Sequence, residues 1–97
     1  MSELVFSPHA QADLDEIWEY TADRWDVDQA DSYVRDLVRA CTAVASGRRM
    51  GRNAEDVRPG YFKITVVSHV VFYTESNGIM DVVRILHQQM DVSRHLE

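Results

Sequence analysis

Apolar residues recur every three to four positions in the first half of the chain and every two in the second. Behind Ser7-Pro8, the residues Ala10, Leu14, Ile17, Trp18, Thr21 and Trp25 fall on one helical face. Asp13, Asp15, Glu16, Glu19 and Asp23 are expected opposite them, facing water. Ser7 predicts the N-cap, because its hydroxyl accepts from an otherwise orphaned amide, and Pro8 suits the first helical position. Asp28 predicts the cap of a second helix, whose apolar face runs Tyr33, Val34, Leu37, Val38, Cys41, Val44 and Ala45. Gly47 falls where a C′ glycine ends a helix. Two amphipathic helices joined by a few residues predict an antiparallel hairpin.

Strands flank this hairpin. Leu4-Val5-Phe6 allows only a brief one, and Arg48 to Gly60 reads as a loop with room for one short ordered piece. From Tyr61 the period becomes two: Phe62, Ile64 and Val66 alternate with Lys63, Thr65 and Val67. A turn at Val67-Ser68-His69 leads to a second strand, Val70 to Thr74, rich in β-branched and aromatic residues. Asn77-Gly78 predicts a tight hairpin into a last strand over Met80 to Leu86. Strict alternation there puts Val83 and Ile85 on one face, and Val82, Arg84 and Leu86 on the other. Asp91 to Leu96 is expected to form one terminal helical turn. The expected architecture is α+β, in the order β-α-α-β-β-β, with the helical hairpin packed on one face of a small, mainly antiparallel sheet. No element is left to cover the other face, so it is expected to stay open for a partner.

Length and charge narrow the reading. Residues 1–97 suit one domain with one limited core. No apolar run approaches the ~18–20 residues that cross a bilayer, and the N-terminus has no basic-then-apolar leader. Cys41 has no second cysteine to pair with, lies on the apolar stripe and is expected in the core of a cytoplasmic protein. The net charge of −6 argues against general coating of nucleic acid. It is unevenly placed, with a balance of −7 over residues 1–47 and +1 over residues 48–97. Trp18 and Trp25 are expected to pack.

Candidate chemistry is sparse. Arg84 sits in an otherwise apolar strand and needs a counter-charge, from Asp81, from a partner, or from a bound target. His87 reads either as a strand-end residue bonded to backbone or as an acid–base group, with an unperturbed pKa near ~6.5. Arg48, Arg49, Arg52 and Arg58 form either a solvated loop or an anion contact. Tyr73 either projects onto the open face or packs with its hydroxyl tied down. His87, Asp91 and His95 would align on a helix, but without a further ligand set no metal is expected. No cofactor is expected, since no phosphate-cradling glycine loop, nucleophile elbow or His-Glu-x-x-His motif occurs.

The run Val82-Val83-Arg84-Ile85-Leu86-His87, with Asp91 four residues on, resembles the C-terminal signature of ParE toxins. Phe6-Ser7-Pro8, Arg58-Pro59-Gly60 and Val71-Phe72-Tyr73 support the resemblance, in the right order over nearly the whole chain. It implies a RelE/ParE-like fold and the toxin role in a type II toxin–antitoxin system. A ParD-like antitoxin is implied as partner in a hetero-oligomer, and the ParE branch implies inhibition of DNA gyrase without catalysis. On that reading Arg84, His87, Asp91 and Arg94 meet the target, while Arg48, Arg49, Arg52, Arg58, Lys63 and Tyr73 meet the antitoxin or an anion. The RelE branch implies instead a ribosome-dependent mRNA endonuclease, for which Arg84, His87 and Lys63 would be catalytic. A basic residue often follows the His in this family. Here Gln88-Gln89 stand in that place, which leaves a third reading: an inactive toxin kept as a repressor component with its antitoxin.

Overall fold

The structure, a computed structural model, describes residues 1–96. Its elements in chain order are β1 (Glu3–Phe6), α1 (Pro8–Arg24), α2 (Val27–Ala45), β2 (Arg52–Asn53), β3 (Phe62–Val66), β4 (His69–Ser76), β5 (Ile79–His87) and a 3₁₀ turn (Val92–Arg94). The five strands form one mixed sheet in the order β1-β5-β4-β3-β2. The three long strands make an antiparallel meander, and β1 lies parallel to β5 with Leu4 opposite Met80.

Local chemistry explains the helix ends. Ser7 Oγ accepts from the Ala10 amide (3.1 Å) while donating to the Val83 carbonyl (2.8 Å), so one hydroxyl caps α1 and fixes it to β5. The cap of α2 is Asp26, not Asp28: its extended backbone lets Oδ1 accept from the Gln29 amide at 2.7 Å. Asp28 falls within the first turn, where a carboxylate favours the positive end of the helix dipole. At the other end, the amides of Gly47 and Arg48 donate to the Val44 and Ala43 carbonyls, which closes the helix in a Schellman motif.

The main core lies between the hairpin and the sheet. Ala10, Leu14 and Ile17 of α1 and Leu37, Cys41 and Val44 of α2 meet Ile64, Val71, Met80, Val82 and Ile85. Burying each large apolar side chain stabilises the fold by about 1.5–3 kcal/mol. Cys41 is fully buried, and desolvation pushes its thiol up to about 11, so it stays protonated as a packing group. Trp18 is half-buried, with Nε1 donating to Asp31 Oδ1 across the hairpin at 2.8 Å. Trp25 departs from expectation: it is the C-cap of α1, where the chain turns away from the core, and it is exposed.

Strict alternation fails in β5. Tyr73 lies opposite Val82 but Phe72 lies opposite Arg84, so Val83 is an extra residue in a β-bulge. The bulge reverses parity: Val82 and Ile85 both join the helix-side core, and Val83 and Leu86 turn to the other side. That other side is not open as expected. Ala54, Val57 and Tyr61 of the long loop and Val92 and Leu96 of the C-terminal segment cover Phe72 and Leu86 in a second, smaller core. The cover is irregular chain folded back on the sheet, which periodicity does not reveal. The expected terminal helical turn forms, as a 3₁₀ turn.

Candidate functional site: the free flank of β5

Beyond Phe6 the chain leaves the sheet to enter α1, so the second half of β5 has no strand on its β1 side. Helix α1 supplies a substitute. Asp13 Oδ2 accepts from the Ile85 amide at 2.9 Å, in the place of a neighbouring strand's carbonyl. The same carboxylate receives Arg84 in a bidentate pair, Nε to Oδ2 at 2.8 Å and Nη2 to Oδ1 at 3.0 Å. Arg84 Nη1 then donates to the His95 carbonyl at 3.0 Å, which draws the C-terminal segment onto the strand. The Arg84 and Asp13 side chains are only 19% and 10% exposed. The hydrogen bonds from Arg84 to Asp13 hold the guanidinium above its ordinary range, against the opposing effect of burial.

Arg84's counter-charge is thus neither Asp81 nor a partner's carboxylate, but a residue expected on the water-facing side of α1. Asp13 is 8% exposed because it lies three residues after Ala10 and four before Ile17, on the buried stripe itself. That spacing, together with a lone Arg in an apolar strand, was the signal available in the sequence.

Next to this pair, a groove of about 460 Å³ runs between α1 and the end of β5. His69 and His87 meet there as cross-strand partners, with ring centroids 5.3 Å apart in an edge-to-face arrangement. Nδ1 of His69 is 2.6 Å from the Tyr33 hydroxyl of α2. Burial first, then the neighbouring His87, hold His69 below the usual imidazole range, while Asp13 works the other way. His87 Nδ1 accepts from the Gln89 amide at 3.2 Å, so it is at once a backbone-bonded strand end and a groove residue.

The other predicted residues are dispersed. Asp91 and Arg94 sit on the C-terminal turn as an exposed pair at 3.6 Å. His87 is in β5, so it does not share a helix with Asp91 and His95, and no group of three or more metal-ligating side chains occurs among the described residues. Lys63, Phe72 and Arg84 occupy one row across β3, β4 and β5, but Arg84 leaves that row for Asp13. His87 lies in another row, opposite His69 beside the groove. Of the set Arg84, His87 and Lys63, Arg84 and His87 both line the groove, whereas Lys63 does not.

Arg58 is held in place, donating to the Leu96 carbonyl at 3.0 Å and lying over the Tyr61 ring. Arg48 donates to Ser46 Oγ and Arg49 to the Thr65 carbonyl. Arg52 and Lys63 are paired across β2 and β3, and neither has a carboxylate partner among the described residues. Tyr73 packs rather than projecting onto an open face: it is 1% exposed, stacks on Phe62 at 5.6 Å, and its hydroxyl packs directly beneath Gly51. Burial raises its phenol pKa.

The helical hairpin on one face of a mixed sheet is the α+β, RelE/ParE-like fold that the resemblance implies. Comparison with known proteins agrees. The family model described as the ParE toxin of the type II toxin–antitoxin system, parDE, matches residues 4–92. Toxin ParE1 of Mycobacterium tuberculosis is 50% identical over 96 residues, covering 98% of each chain. Toxin ParE1 of Caulobacter vibrioides is 41% identical over 96 residues, covering 99% of each. In fold, the chain resembles the chromosomal ParDE TA system from P. aeruginosa, with a TM-score of 0.77 at 22% identity over 90% of this chain and 96% of that one. It also resembles the YoeB-YefM complex from Staphylococcus aureus, with a TM-score of 0.58 at 14% identity over 91% and 98%. The chain belongs to the ParE toxin family of type II toxin–antitoxin systems.

Proposed function

We propose that this toxin inhibits DNA gyrase by binding, without cutting nucleic acid, and that a ParD-like antitoxin neutralises it in the cytoplasm as a hetero-oligomer. One observation carries the choice between binding and catalysis. RNA cleavage needs cations on the phosphate and an acid–base group in reach of the same atoms. Here Arg84 is committed to Asp13, and Lys63 and His87 lie in different cross-strand rows of the sheet. The family match over residues 4–92 supports the toxin role itself. The uncompensated cations Arg52 and Lys63, with Arg48 and Arg49 nearby, suit an acidic arm of the antitoxin.

The test is a supercoiling and DNA-cleavage assay with purified gyrase, run beside a translating extract scored for cut mRNA. The expected result is gyrase inhibition, relieved by adding the antitoxin, with intact mRNA. Cut mRNA with unaffected gyrase would replace this reading with the endonuclease one.

A further inference from the structure

The antiparallel meander closes through two turns of two residues each, built from opposite residue types. At one end Asn77 and Gly78 take φ of 53° and 75°, a region that suits asparagine and glycine. At the other, Val67 takes φ of 54°, and Ser68 does not follow it into the left-handed region. That is the pattern of a II′ turn, whose first position favours glycine. A β-branched side chain there is a steric outlier, because its Cβ crowds the following carbonyl. Packing does not ask for it: Val66 is the buried neighbour, at 9% exposed, and Val67 is 72% exposed. The valine is therefore unfavourable twice over, in backbone strain and in apolar surface left in water.

The surrounding structure holds the turn in this shape. The Tyr33 hydroxyl of α2 accepts from the Ser68 amide at 3.4 Å, and the Ser68 carbonyl accepts from the Gln88 amide at 2.9 Å. The second bond sets the turn beside the end of β5, where Gln88, Gln89 and Met90 are exposed. Val67, Ser68, Gln88, Gln89 and Met90 thus form one uncharged tip, with the His69–His87 pair behind it. The charges around it are few and mixed: Arg49, bound to the Thr65 carbonyl, Asp91 next to Met90, and Glu16, which lines the same groove as Met90. A phosphate backbone is gripped by several cations, which this tip does not offer. An apolar side chain ringed by amides suits a pocket on a protein.

Resting on the reading that this toxin disables DNA gyrase by binding, we infer that the β3–β4 turn meets the protein surface of the target, with Val67 as its apolar anchor. The Gln88 and Gln89 amides hydrogen-bond around the pocket that Val67 enters. Binding, not folding, keeps a valine at this left-handed position, and the strain is held by Tyr33 and the end of β5 until the target is met. The Gln88-Gln89 pair, which stands where a basic residue often follows the His, becomes part of the same contact.

The test places Val67→Gly and Val67→Asn in the full chain, with Asn77→Gly at the opposite turn as control. It reads the thermal midpoint, inhibition of supercoiling by purified gyrase, growth arrest on induction, and affinity for the antitoxin. Both Val67 variants are expected to raise the thermal midpoint by about 2–6 °C, as strain is released. Both are expected to inhibit gyrase about tenfold more weakly, while Asn77→Gly stays within about twofold of the wild type. A lower midpoint in both Val67 variants would overturn the inference, because the fold itself would then require the valine. So would a stabilised variant that inhibits as well as the wild type, or one that loses only its affinity for the antitoxin. A wild type that arrests growth without inhibiting gyrase would overturn the proposed function. Arrest lost in the Val67 variants would then support the inference with another protein target, and arrest retained would overturn it. A wild type inert in both assays would overturn both.

Discussion

The two flanks of the sheet are finished by side chains of opposite charge. Where β5 runs on past the end of β1, Asp13 stands in for the missing strand and accepts from the Ile85 amide. Where β3 runs on past the end of β2, Arg49 stands in and donates to the Thr65 carbonyl at 3.0 Å. The device is the same, but its energetic weight differs. Asp13 is buried and also holds a mostly buried guanidinium by two bonds, whereas Arg49 is exposed and makes a single bond that water can replace. A charge taken out of water is costly unless every bond it needs is made, so the β5 flank depends on its pair as a unit. The β3 flank depends on nothing so specific and stays available to a partner.

The largest expected effect breaks the buried side of this contrast. Asp13→Ala leaves Arg84 without its counter-charge and the Ile85 amide without an acceptor, and should cost about 3–5 kcal/mol in urea denaturation. Replacing both partners, Asp13→Leu with Arg84→Met, should recover the part due to the unpaired charge, leaving the cost of the Ile85 amide without an acceptor, about 1–3 kcal/mol. A double variant as unstable as the single one would mean that the pair matters for something other than charge compensation.

Next in size is a steric test on the opposite flank. A Cβ at Gly51 would sit 1.8 Å from the Tyr73 hydroxyl oxygen, which is buried and has little room to move. Gly51→Ala should therefore cost about 1–3 kcal/mol through overpacking. Tyr73→Phe in the same chain should return part of it by removing the atom in closest conflict. An unchanged denaturation midpoint for Gly51→Ala would show that this loop is not packed on Tyr73.

A smaller effect concerns pH on the β5 side. His69 faces Tyr33, His87 and Asp13, and its folded pKa lies below the ordinary value near ~6.5. The unfolded chain therefore takes up this proton first as pH falls. Stability is full above about pH 6.5 and declines as pH drops toward the lower folded value. His69→Gln should lose this part of the decline, seen as a flatter plot of thermal midpoint against pH between about 7.5 and 5.5. Superimposable plots would remove His69 from the account.

The smallest effect sharpens the comparison from its weak side. Arg49→Ala should change stability by no more than about 0.5 kcal/mol, since its bond to Thr65 is exposed. A loss comparable with that of Asp13→Ala would erase the distinction between the flanks.

Much of the fold was legible from local pattern. Ser7, Gly47 and Asn77-Gly78 each act at their own position through bonds or backbone angles settled within a few residues. Asn77 and Gly78 both take positive φ, at 53° and 75°, as the tight hairpin turn requires. The cap of α2 slipped from Asp28 to Asp26 because two aspartates two residues apart offer the same chemistry, and backbone direction selects one. The face assignment in β5 failed at Val83, since an alternation rule has no way to register an inserted residue. Arg84 was legible as needing a partner and Tyr73 as either projecting or packed, but the residues that decide both, Asp13 and Gly51, lie far away in sequence.

By itself, then, the sequence determined the two helices, the meander and their order, because period, caps and turn residues operate over one to four positions. It also carried the family, through an ordered set of short runs over most of the chain. Only the tertiary structure decided that β1 joins β5, that the long loop and C-terminus close the outer face, and that Asp13 leaves solvent to hold Arg84. These outcomes pair residues as much as 76 positions apart, and Asp13 with Arg84 across 71. No local preference encodes such a pairing. It exists because burying the surrounding apolar surface brings the two charges out of water together, where each is stable only in the presence of the other.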